Sequence, residues 1–325
     1  MDALVLFGAG LALLILAAEL IVRHGSSLAL AFGVSPLILG LTIVAVGTSA
    51  PELAIGITAS YGGSGALAVG NIAGTNLVNV LLILGLSALM RPLPLHSRTI
   101  GMDLPMMAVS AVLMTALAWD GLLSRTDGIV MLVIAVAYTV VLVRQSRIES
   151  RTVKNEYKDM YGAEGARTPG TVEARVGLNS AMLVAGLALS VLGAKWLVDG
   201  AVDIARSLGL GEAIIGLTIV AIGTSAPELV TTIVGTLRNE RDVAVGNLLG
   251  SSIYNILVIL GIPCLLAPGG IPVERQLLLF DIPLMTAVAF LCIPVFVSGR
   301  AVSRVEGGVF VTLYASYLAY LLILR

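Results

Sequence analysis

Residues 40–53 of this 325-residue chain read GLTIVAVGTSAPEL, and residues 216–229 read GLTIVAIGTSAPEL. The two stretches differ at one position, where Val46 of the first is Ile222 in the second. A near-identical pair of this kind marks an internal repeat, and a long-period repeat organises a whole fold when it extends beyond the motif. The chain is therefore to be understood as two copies of one structural unit.

The repeat extends well beyond these two stretches. The sequence AVGN at 68–71 recurs at 244–247, with the same offset of 176 residues that separates the first pair. Further along, DLP beginning at Asp103 matches DIP beginning at Asp281, at an offset of 178 residues. The repeat thus spans nearly the whole of each half of the chain.

The composition is that of a membrane protein. The chain is 58% hydrophobic and only 12% charged, whereas soluble domains carry about 25% charged residues. Its apolar runs repeatedly exceed the roughly 18 residues that indicate a membrane-spanning helix. The composition therefore predicts an all-α, polytopic protein embedded in the lipid bilayer.

The basic residues form no concentrated patch, so nucleic-acid binding is not indicated. Nothing in the sequence indicates a resident cofactor or an obligate protein partner.

Hydropathy predicts ten transmembrane helices, at 3–22, 35–60, 66–89, 102–119, 128–144, 179–198, 212–237, 243–266, 277–297 and 305–323. The first five form one repeat in 1–144, a cytoplasmic linker loop follows at 145–178, and the last five form a second repeat in 179–325. Each repeat has an odd number of spans, so the second must enter the membrane from the opposite side. We therefore predict two inverted five-helix repeats, an arrangement in which secondary transporters place their site near the membrane midplane.

The basic residues predict the orientation, because cytoplasmic loops are enriched in Lys and Arg. If the polar segment at 145–178 is cytoplasmic, 14 of the 19 Lys and Arg residues lie on that side. They are Arg23, Arg91, Arg98, Arg144, Arg147, Arg151, Lys154, Lys158, Arg167, Arg175, Arg238, Arg241, Arg300 and Arg304. Both termini are then outside, and the expected location is the cell (inner or plasma) membrane.

The GTSAPE motif concentrates oxygen atoms at one place in a span. Pro51 has no N–H, so the carbonyl of Gly47 loses its helical partner and the helix should kink there. Thr48 and Ser49 precede Glu52 by four and three residues, so their hydroxyls share its helix face. The resulting cluster holds one carboxylate, two hydroxyls and backbone carbonyls that have lost their helical hydrogen bonds. Hard oxygens of this kind suit Na⁺ and Ca²⁺.

The second copy supplies the same groups from Thr224, Ser225 and Glu228. The third helix of each repeat adds further oxygens on one face, from Thr75, Asn76 and Asn79 in the first copy and Ser251, Ser252 and Asn255 in the second. The GxxxG patterns at 70–74 and 246–250 are assigned to close helix packing.

A buried acid within a span calls for a function. An ionisable group at mid-membrane costs at least about 2.5–3.5 kcal/mol. Neither predicted second-helix span of the repeats contains a Lys or Arg that would pair with Glu52 or Glu228. The two glutamates are therefore predicted to form one ion site. By contrast, Asp103 and Asp281 stand just before a proline at the start of a predicted helix, and we expect them to cap those helices.

These motifs resemble the signatures of the sodium/calcium exchangers, in the prokaryotic type of the calcium/cation antiporter superfamily. The first half carries GTSAPE and then GN-x-x-G-T-N-x-x-N, and the second carries GTSAPE and then GN-x-x-G-S-S-x-x-N. The likeness covers essentially the whole chain. It implies a ten-helix fold with four ion positions at its centre and with Na⁺ and Ca²⁺ as the transported substrates.

The resemblance also implies individual roles. Glu52 and Glu228 would ligate both ions, and the carbonyls of Thr48 and Thr224 would join the Ca²⁺ shell. Flanking Na⁺ positions would be completed by the carbonyls of Ala45 and Ala221 with Ser49, Ser225, Thr75, Ser251 and Ser252. The amides of Asn79 and Asn255 would line the middle position. Some relatives, including potassium-dependent members, have Asp where this chain has Asn255, which argues against potassium coupling.

Together these features predict a secondary active antiporter, not an enzyme, that exchanges Na⁺ for Ca²⁺ by alternating access. Two antiporter alternatives stay open: an H⁺/Ca²⁺ antiporter and a K⁺-dependent Na⁺/Ca²⁺ antiporter. A cation channel using the carboxylates as a selectivity ring is an alternative of another class. A Na⁺ gradient imposed at fixed pH separates the first alternative, and flux without a counter-ion separates the channel.

Overall fold

The computed structural model describes residues 2–32, 35–62, 65–95, 97–161, 169–208 and 221–324, and these are almost entirely helical. In the first half, α1 is Ala3–Phe32. Helix α2 is Pro36–Leu39, the π-helical turn Gly40–Val44 and Ala45–Thr48, and α3 is Ala50–Tyr61. Helix α4 joins Gly65–Leu77, the π-helical turn Val78–Leu84 and Gly85–Met90. Helix α5 is the π-helical turn Thr99–Asp103 and Leu104–Leu117, and α6 is Arg125–Tyr161.

The second half repeats this order. Helix α7 is Pro169–Ser207, α8 is Ala221–Thr224 and α9 is Ala226–Leu237. Helix α10 joins Arg241–Tyr254, the π-helical turn Asn255–Leu260 and Gly261–Leu266. Helix α11 is the π-helical turn Leu277–Asp281 and Ile282–Gly299, and α12 is Arg304–Leu324.

The helices confirm a multi-span membrane architecture, although not the predicted number of spans. Within the described ranges, eight helices are long and apolar enough to cross a membrane, and the pair α2–α3, bent by 44°, would make a ninth span. The predicted span at 212–237 lies partly outside the described residues, which begin again at Ala221. The segment predicted as a linker loop at 145–178 is helical in its described part, because α6 continues to Tyr161 and α7 begins at Pro169.

Two short antiparallel strand pairs join the helix ends. Strand β1, Leu93–Pro94, pairs with β4, Ala301–Val302. Strand β2, Leu122–Leu123, pairs with β3, Ile271–Pro272. Each pair joins a loop of the first half to a loop of the second, so the two halves are hydrogen-bonded to each other at two places.

Helices α4 and α10 form the centre of the molecule. In the most apolar 18-residue stretch of each of these helices, 78% and 83% of the residues are buried. In the other single-helix spans the corresponding share is 22–39%. These two helices also hold equivalent π-helical turns in their middle. Since π-helical turns are rare and are frequently found at functional sites, they direct attention to the side chains around Asn79 and Asn255.

Candidate functional site

The predicted kink in the GTSAPE motif is confirmed. Helix α2 ends at Thr48 and α3 begins at Ala50, and between them Ser49 leaves the helical region, with φ −84° and ψ 14°. The missing N–H of Pro51 explains the break, because the helical ladder cannot continue through it. Regular bonding resumes when the Leu53 N–H donates to the Ser49 carbonyl at 3.1 Å.

The second copy breaks in the same way. Ser225 has φ −85° and ψ 9°, and it separates α8 from α9. Proline occupies the first turn of α9 as it does that of α3. The repeated sequence therefore produces the same local structure twice, at the positions where both hydroxyl–carboxylate clusters were expected.

The two clusters meet in the interior of the protein. Glu52 and Glu228 are both completely buried, and their carboxyl groups are near enough to interact electrostatically. Ser49 Oγ, from the first cluster, donates a 3.0 Å hydrogen bond to Glu228 Oε1, from the second. The structure thus brings together the two acids that the repeat predicted as partners.

Many oxygens at this centre are unused by the protein itself. Within the described ranges, Glu52 Oε1, Glu52 Oε2 and Glu228 Oε2 are buried without a hydrogen-bond partner. The same holds for Ser225 Oγ, Ser252 Oγ and the amide oxygens of Asn79 and Asn255. Buried polar groups are nearly always paired, and an unpaired group points to an ion, a water or a functional role. Carboxylate, hydroxyl and amide oxygens fit the hard cations Na⁺ and Ca²⁺.

Glycines bring the backbones of α2 and α10 together. A methyl group added at Gly246 would lie 2.5 Å from the Leu37 carbonyl oxygen, and one at Gly250 would lie 2.5 Å from the Leu41 carbonyl oxygen. The packing role predicted for these two glycines is confirmed. Gly70 and Gly74 show no comparably close approach within the described part of the chain.

The other predicted site residues lie on α2, α4, α8 and α10. Ala45 and Ser251 are buried, and Ser251 Oγ lies 3.4 Å from the Ala45 carbonyl oxygen. Thr75 and Thr224 are also buried, and Ala221 lies in α8. Ser252 lines a small cavity with Asn76, Met107 and Met285, on the side of α5 and α11.

Asn247 is a site neighbour that was not predicted. It is completely buried, and Thr48 Oγ1 lies 3.1 Å from its Oδ1 atom. Its sequence signals are the repeated AVGN and the GN-x-x-G-S-S-x-x-N motif, in both of which it follows the packing glycine Gly246. Its contact depends on the close approach of α2 and α10, which the sequence spacing alone does not reveal.

The capping role expected for Asp103 and Asp281 is wrong. Both lie inside continuous helices, at the end of a π-helical turn, and neither side chain caps the helix that follows. Instead each is buried and accepts a hydrogen bond from a tyrosine: Tyr138 donates to Asp103 at 3.0 Å, and Tyr317 donates to Asp281 at 2.9 Å. These hydrogen bonds therefore link α5 to α6 and α11 to α12.

Sequence relatives of the chain include named exchangers. It is 37% identical over 281 residues to inner membrane protein YrbG of Escherichia coli, covering 86% of this chain and 85% of that protein. It is 36% identical over 309 residues to the putative antiporter CaxA of Alkalimonas amylolytica, covering 95% of each. It is 30% identical over 340 aligned positions to the sodium/calcium exchanger MaX1 of Methanosarcina acetivorans, covering 96% of each.

The fold is also similar to solved structures of the sodium-calcium exchanger NCX_Mj. The form soaked with zero Na⁺ and Ca²⁺ superposes with a TM-score of 0.81 at 27% identity, over 98% of each chain. The form soaked with 10 mM Na⁺ and zero Ca²⁺ gives a TM-score of 0.82 at 27% identity, over 99% of each chain. The sequence model of the family described as sodium/calcium exchanger protein matches residues 3–144 and 178–323. The chain therefore belongs to the sodium/calcium exchanger family.

Proposed function

We propose that this protein is a secondary active antiporter that exchanges Na⁺ for Ca²⁺ across the cell membrane, at a midplane site built on Glu52 and Glu228. The observation that carries the proposal is the meeting of these two completely buried carboxylates among unpaired hydroxyl and amide oxygens. Family membership supports cation/Ca²⁺ antiport, and the relatives MaX1 and NCX_Mj are both named as sodium/calcium exchangers.

Exchange follows from the charge of the site. Two facing carboxylates in a dry interior repel each other and lose their hydration, which is costly unless cations compensate them. One Ca²⁺ neutralises the pair, two Na⁺ do the same, and a third Na⁺ would use neutral oxygens. If only a compensated site can close, the empty carrier cannot reorient. Transport is then obligatory exchange.

Inverted repeats are part of the proposal, and the helix ends support them. Arg91, just after α4, donates a 2.7 Å hydrogen bond to Asn239, just before α10. At the other end, Gly65 at the start of α4 packs against Pro272, which follows α10. The equivalent helices α4 and α10 therefore run in opposite directions, as repeats related by an axis in the membrane plane require.

The proposed orientation places both termini outside. Several of the basic residues expected in the cytoplasm gather at one end of the molecule. Arg91 contacts Asn239 there, and Arg304 donates to the carbonyl of Met90 at 3.4 Å. Arg98 donates to the Leu142 carbonyl at 3.3 Å, so the long polar segment begins near the same end. A positively charged end of this kind is typical of the cytoplasmic face.

For alternating access, we propose that α1 and α7 move together across the central helices. They pack closely through glycines: a methyl group added at Gly200 would lie 2.5 Å from the Phe7 nitrogen, and one at Gly193 would lie 3.0 Å from the Gly10 carbonyl oxygen. Labels attached at Leu16 on α1 and Leu237 on α9, both about half exposed, would report the motion. Inter-label distances that stay the same in Na⁺, Ca²⁺ and cation-free buffer would refute it.

The test of the exchange activity is Ca²⁺ uptake into proteoliposomes. A Na⁺ gradient is imposed at fixed pH with a protonophore present, and it should drive Ca²⁺ against its own gradient. Glu52→Gln and Glu228→Gln should each abolish this uptake. Glu274→Gln, at an exposed position outside the site, is the matched control and should transport normally.

The alternatives give distinct results in the same vesicles. Uptake that follows a pH gradient and ignores Na⁺ would identify an H⁺/Ca²⁺ antiporter. Uptake that requires added K⁺ would identify K⁺ coupling, and Ca²⁺ flux without any counter-ion would identify a channel. Normal Na⁺-driven uptake by either glutamine variant would refute the two-glutamate site.

A further inference from the structure

We propose that Asn247 is a positioning residue for Na⁺ binding. Its amide oxygen accepts the hydroxyl proton of Thr48 and thereby leaves the carbonyl oxygen of Ala45 available to a cation. The inference rests on the proposed function, in which the Ala45 carbonyl is a Na⁺ ligand, and it adds a residue that does not itself touch the ion.

The geometry places one hydroxyl near three acceptors: the Asn247 amide oxygen, the Ala45 carbonyl and the Glu228 carboxylate. Thr48 Oγ1 lies 3.1 Å from Asn247 Oδ1 and 3.2 Å from the Ala45 carbonyl oxygen, and all three residues are completely buried. Gly246 and Gly250 hold α10 close enough to α2 for Asn247 to reach across. No water is needed to connect these groups, because both contacts are direct hydrogen bonds.

A threonine hydroxyl has one proton to donate, so these acceptors compete for it. The Ala45 carbonyl already accepts from the Ser49 N–H at 3.2 Å, and Ser251 Oγ lies 3.4 Å away. A carbonyl oxygen has two lone pairs. If Thr48 also donates to it, little acceptor capacity is left for an ion. Directing the Thr48 proton to Asn247 removes this competitor.

The identity of residue 247 then decides where the proton goes. A leucine in place of Asn247 offers no acceptor, so the Thr48 hydroxyl turns to the acceptors that remain, the Ala45 carbonyl and the Glu228 carboxylate, and competes there with a cation. An aspartate accepts the proton with either oxygen and should preserve the arrangement. The two substitutions therefore separate loss of the acceptor from simple replacement of a buried amide.

The experiment measures Na⁺ and Ca²⁺ binding to the purified full-length protein, together with Na⁺-driven Ca²⁺ uptake in proteoliposomes. We expect Asn247→Leu to raise the half-saturating Na⁺ concentration roughly 3- to 10-fold, the range that one net hydrogen bond supports. Its Ca²⁺ half-saturation should change less than about twofold, since the Ca²⁺ shell draws on other groups. Asn247→Asp should not weaken Na⁺ binding.

A double-mutant cycle tests whether Asn247 acts through the hydroxyl. Thr48→Val removes the competing proton, so adding Asn247→Leu to it should cause no further loss of Na⁺ affinity. Thr236→Val is the matched control, because Thr236 is equally buried but its hydroxyl bonds to the Thr232 carbonyl of its own helix. If Asn247→Leu does not fold, Asn247→Ala makes the same comparison with a smaller side chain.

The outcomes separate this inference from the proposed function. Equal weakening of Na⁺ and Ca²⁺, no weakening, or a further loss in the Thr48→Val background would overturn the role of Asn247 alone. A wild-type protein that binds Na⁺ without Na⁺-driven uptake would overturn the antiport proposal, while the binding comparison would still decide on Asn247. A wild-type protein that binds no Na⁺ would overturn both.

Discussion

Ser49 and Glu228 are 179 positions apart in the sequence, yet Ser49 Oγ donates a 3.0 Å hydrogen bond to Glu228 Oε1. The bond joins the helix break of one repeat to the carboxylate of the other. The reciprocal bond, from Ser225 to Glu52, is not formed: within the described ranges, Ser225 Oγ and both Glu52 oxygens have no hydrogen-bond partner. The two glutamates are thus equivalent in sequence but not in environment.

This asymmetry predicts unequal effects of two matched serine substitutions on the cation-free protein. Ser49→Ala should lower its stability by about 1–3 kcal/mol, the usual cost of leaving a buried acceptor without its donor. Ser225→Ala should leave it nearly unchanged, because Ser225 has no bond to lose. Thermal unfolding midpoints in cation-free detergent, compared at one scan rate, measure the difference. Equal midpoints for the two variants would contradict the asymmetry.

Glu52 gives a second prediction, which concerns charge. Its buried carboxylate lies near Glu228 without a bonded partner in the described structure, so an uncompensated charge there opposes folding. Glu52→Gln should therefore have a cation-free unfolding midpoint at or above that of the wild type. It should also lose the stabilisation by Ca²⁺, which for a bound ligand at 100 times its Kd is about 2.7 kcal/mol.

The same unfolding assay, with and without Ca²⁺, measures both parts of this prediction. Glu274→Gln, at its exposed position, should keep the wild-type midpoint and the wild-type response. A clearly lower cation-free midpoint for Glu52→Gln, or a full Ca²⁺ response, would contradict it.

Features with a local cause could be predicted from the sequence. The breaks at Ser49 and Ser225 follow from a proline and a glycine within a few residues, and both breaks are present. The pairing of Glu52 with Glu228 could also be anticipated, because a repeat that places one acid at an interior break places its copy there too. Apolar length was enough to predict most of the spans.

Features that depend on how helices rotate and approach one another could not be predicted. The π-helical turns that present Asn79 and Asn255 have no local sequence signal. The contact of Asn247 with Thr48 needs the glycine-mediated approach of two helices. At Asp103 the local signal was misleading, because the following proline indicated a cap whereas the partner is Tyr138, 35 residues away.

The Asp103–Tyr138 pair gives a third prediction. Tyr138→Phe keeps the ring but removes the hydroxyl that donates to the buried Asp103. Loss of that donor should lower stability by about 1–3 kcal/mol. The half-saturating Ca²⁺ and Na⁺ concentrations should not change, because the pair joins α5 to α6, outside the central helices.

Tyr61→Phe is the control, since Tyr61 is 63% exposed and its hydroxyl can bond to water. Unfolding midpoints and ion titrations of both variants provide the measurement. A Tyr138→Phe protein of normal stability with altered ion affinity would instead place this pair on the ion pathway.

The packing of α2 against α10 gives the last prediction, through Gly250. A methyl group at this position would lie 2.5 Å from the Leu41 carbonyl oxygen and 2.8 Å from Ala45 Cβ. Rigid backbone cannot yield as a side chain does, so Gly250→Ala should cost about 1–3 kcal/mol or more. It should also weaken Na⁺ binding, because the helices must separate at Ala45.

Gly101→Ala is the control, at an exposed helical position where the described residues leave open space. It should be neutral or slightly stabilising, because alanine favours helices. Unfolding midpoints and Na⁺ titrations of the two variants decide the matter: if they behave alike, the close approach of α2 and α10 is not what holds the site together.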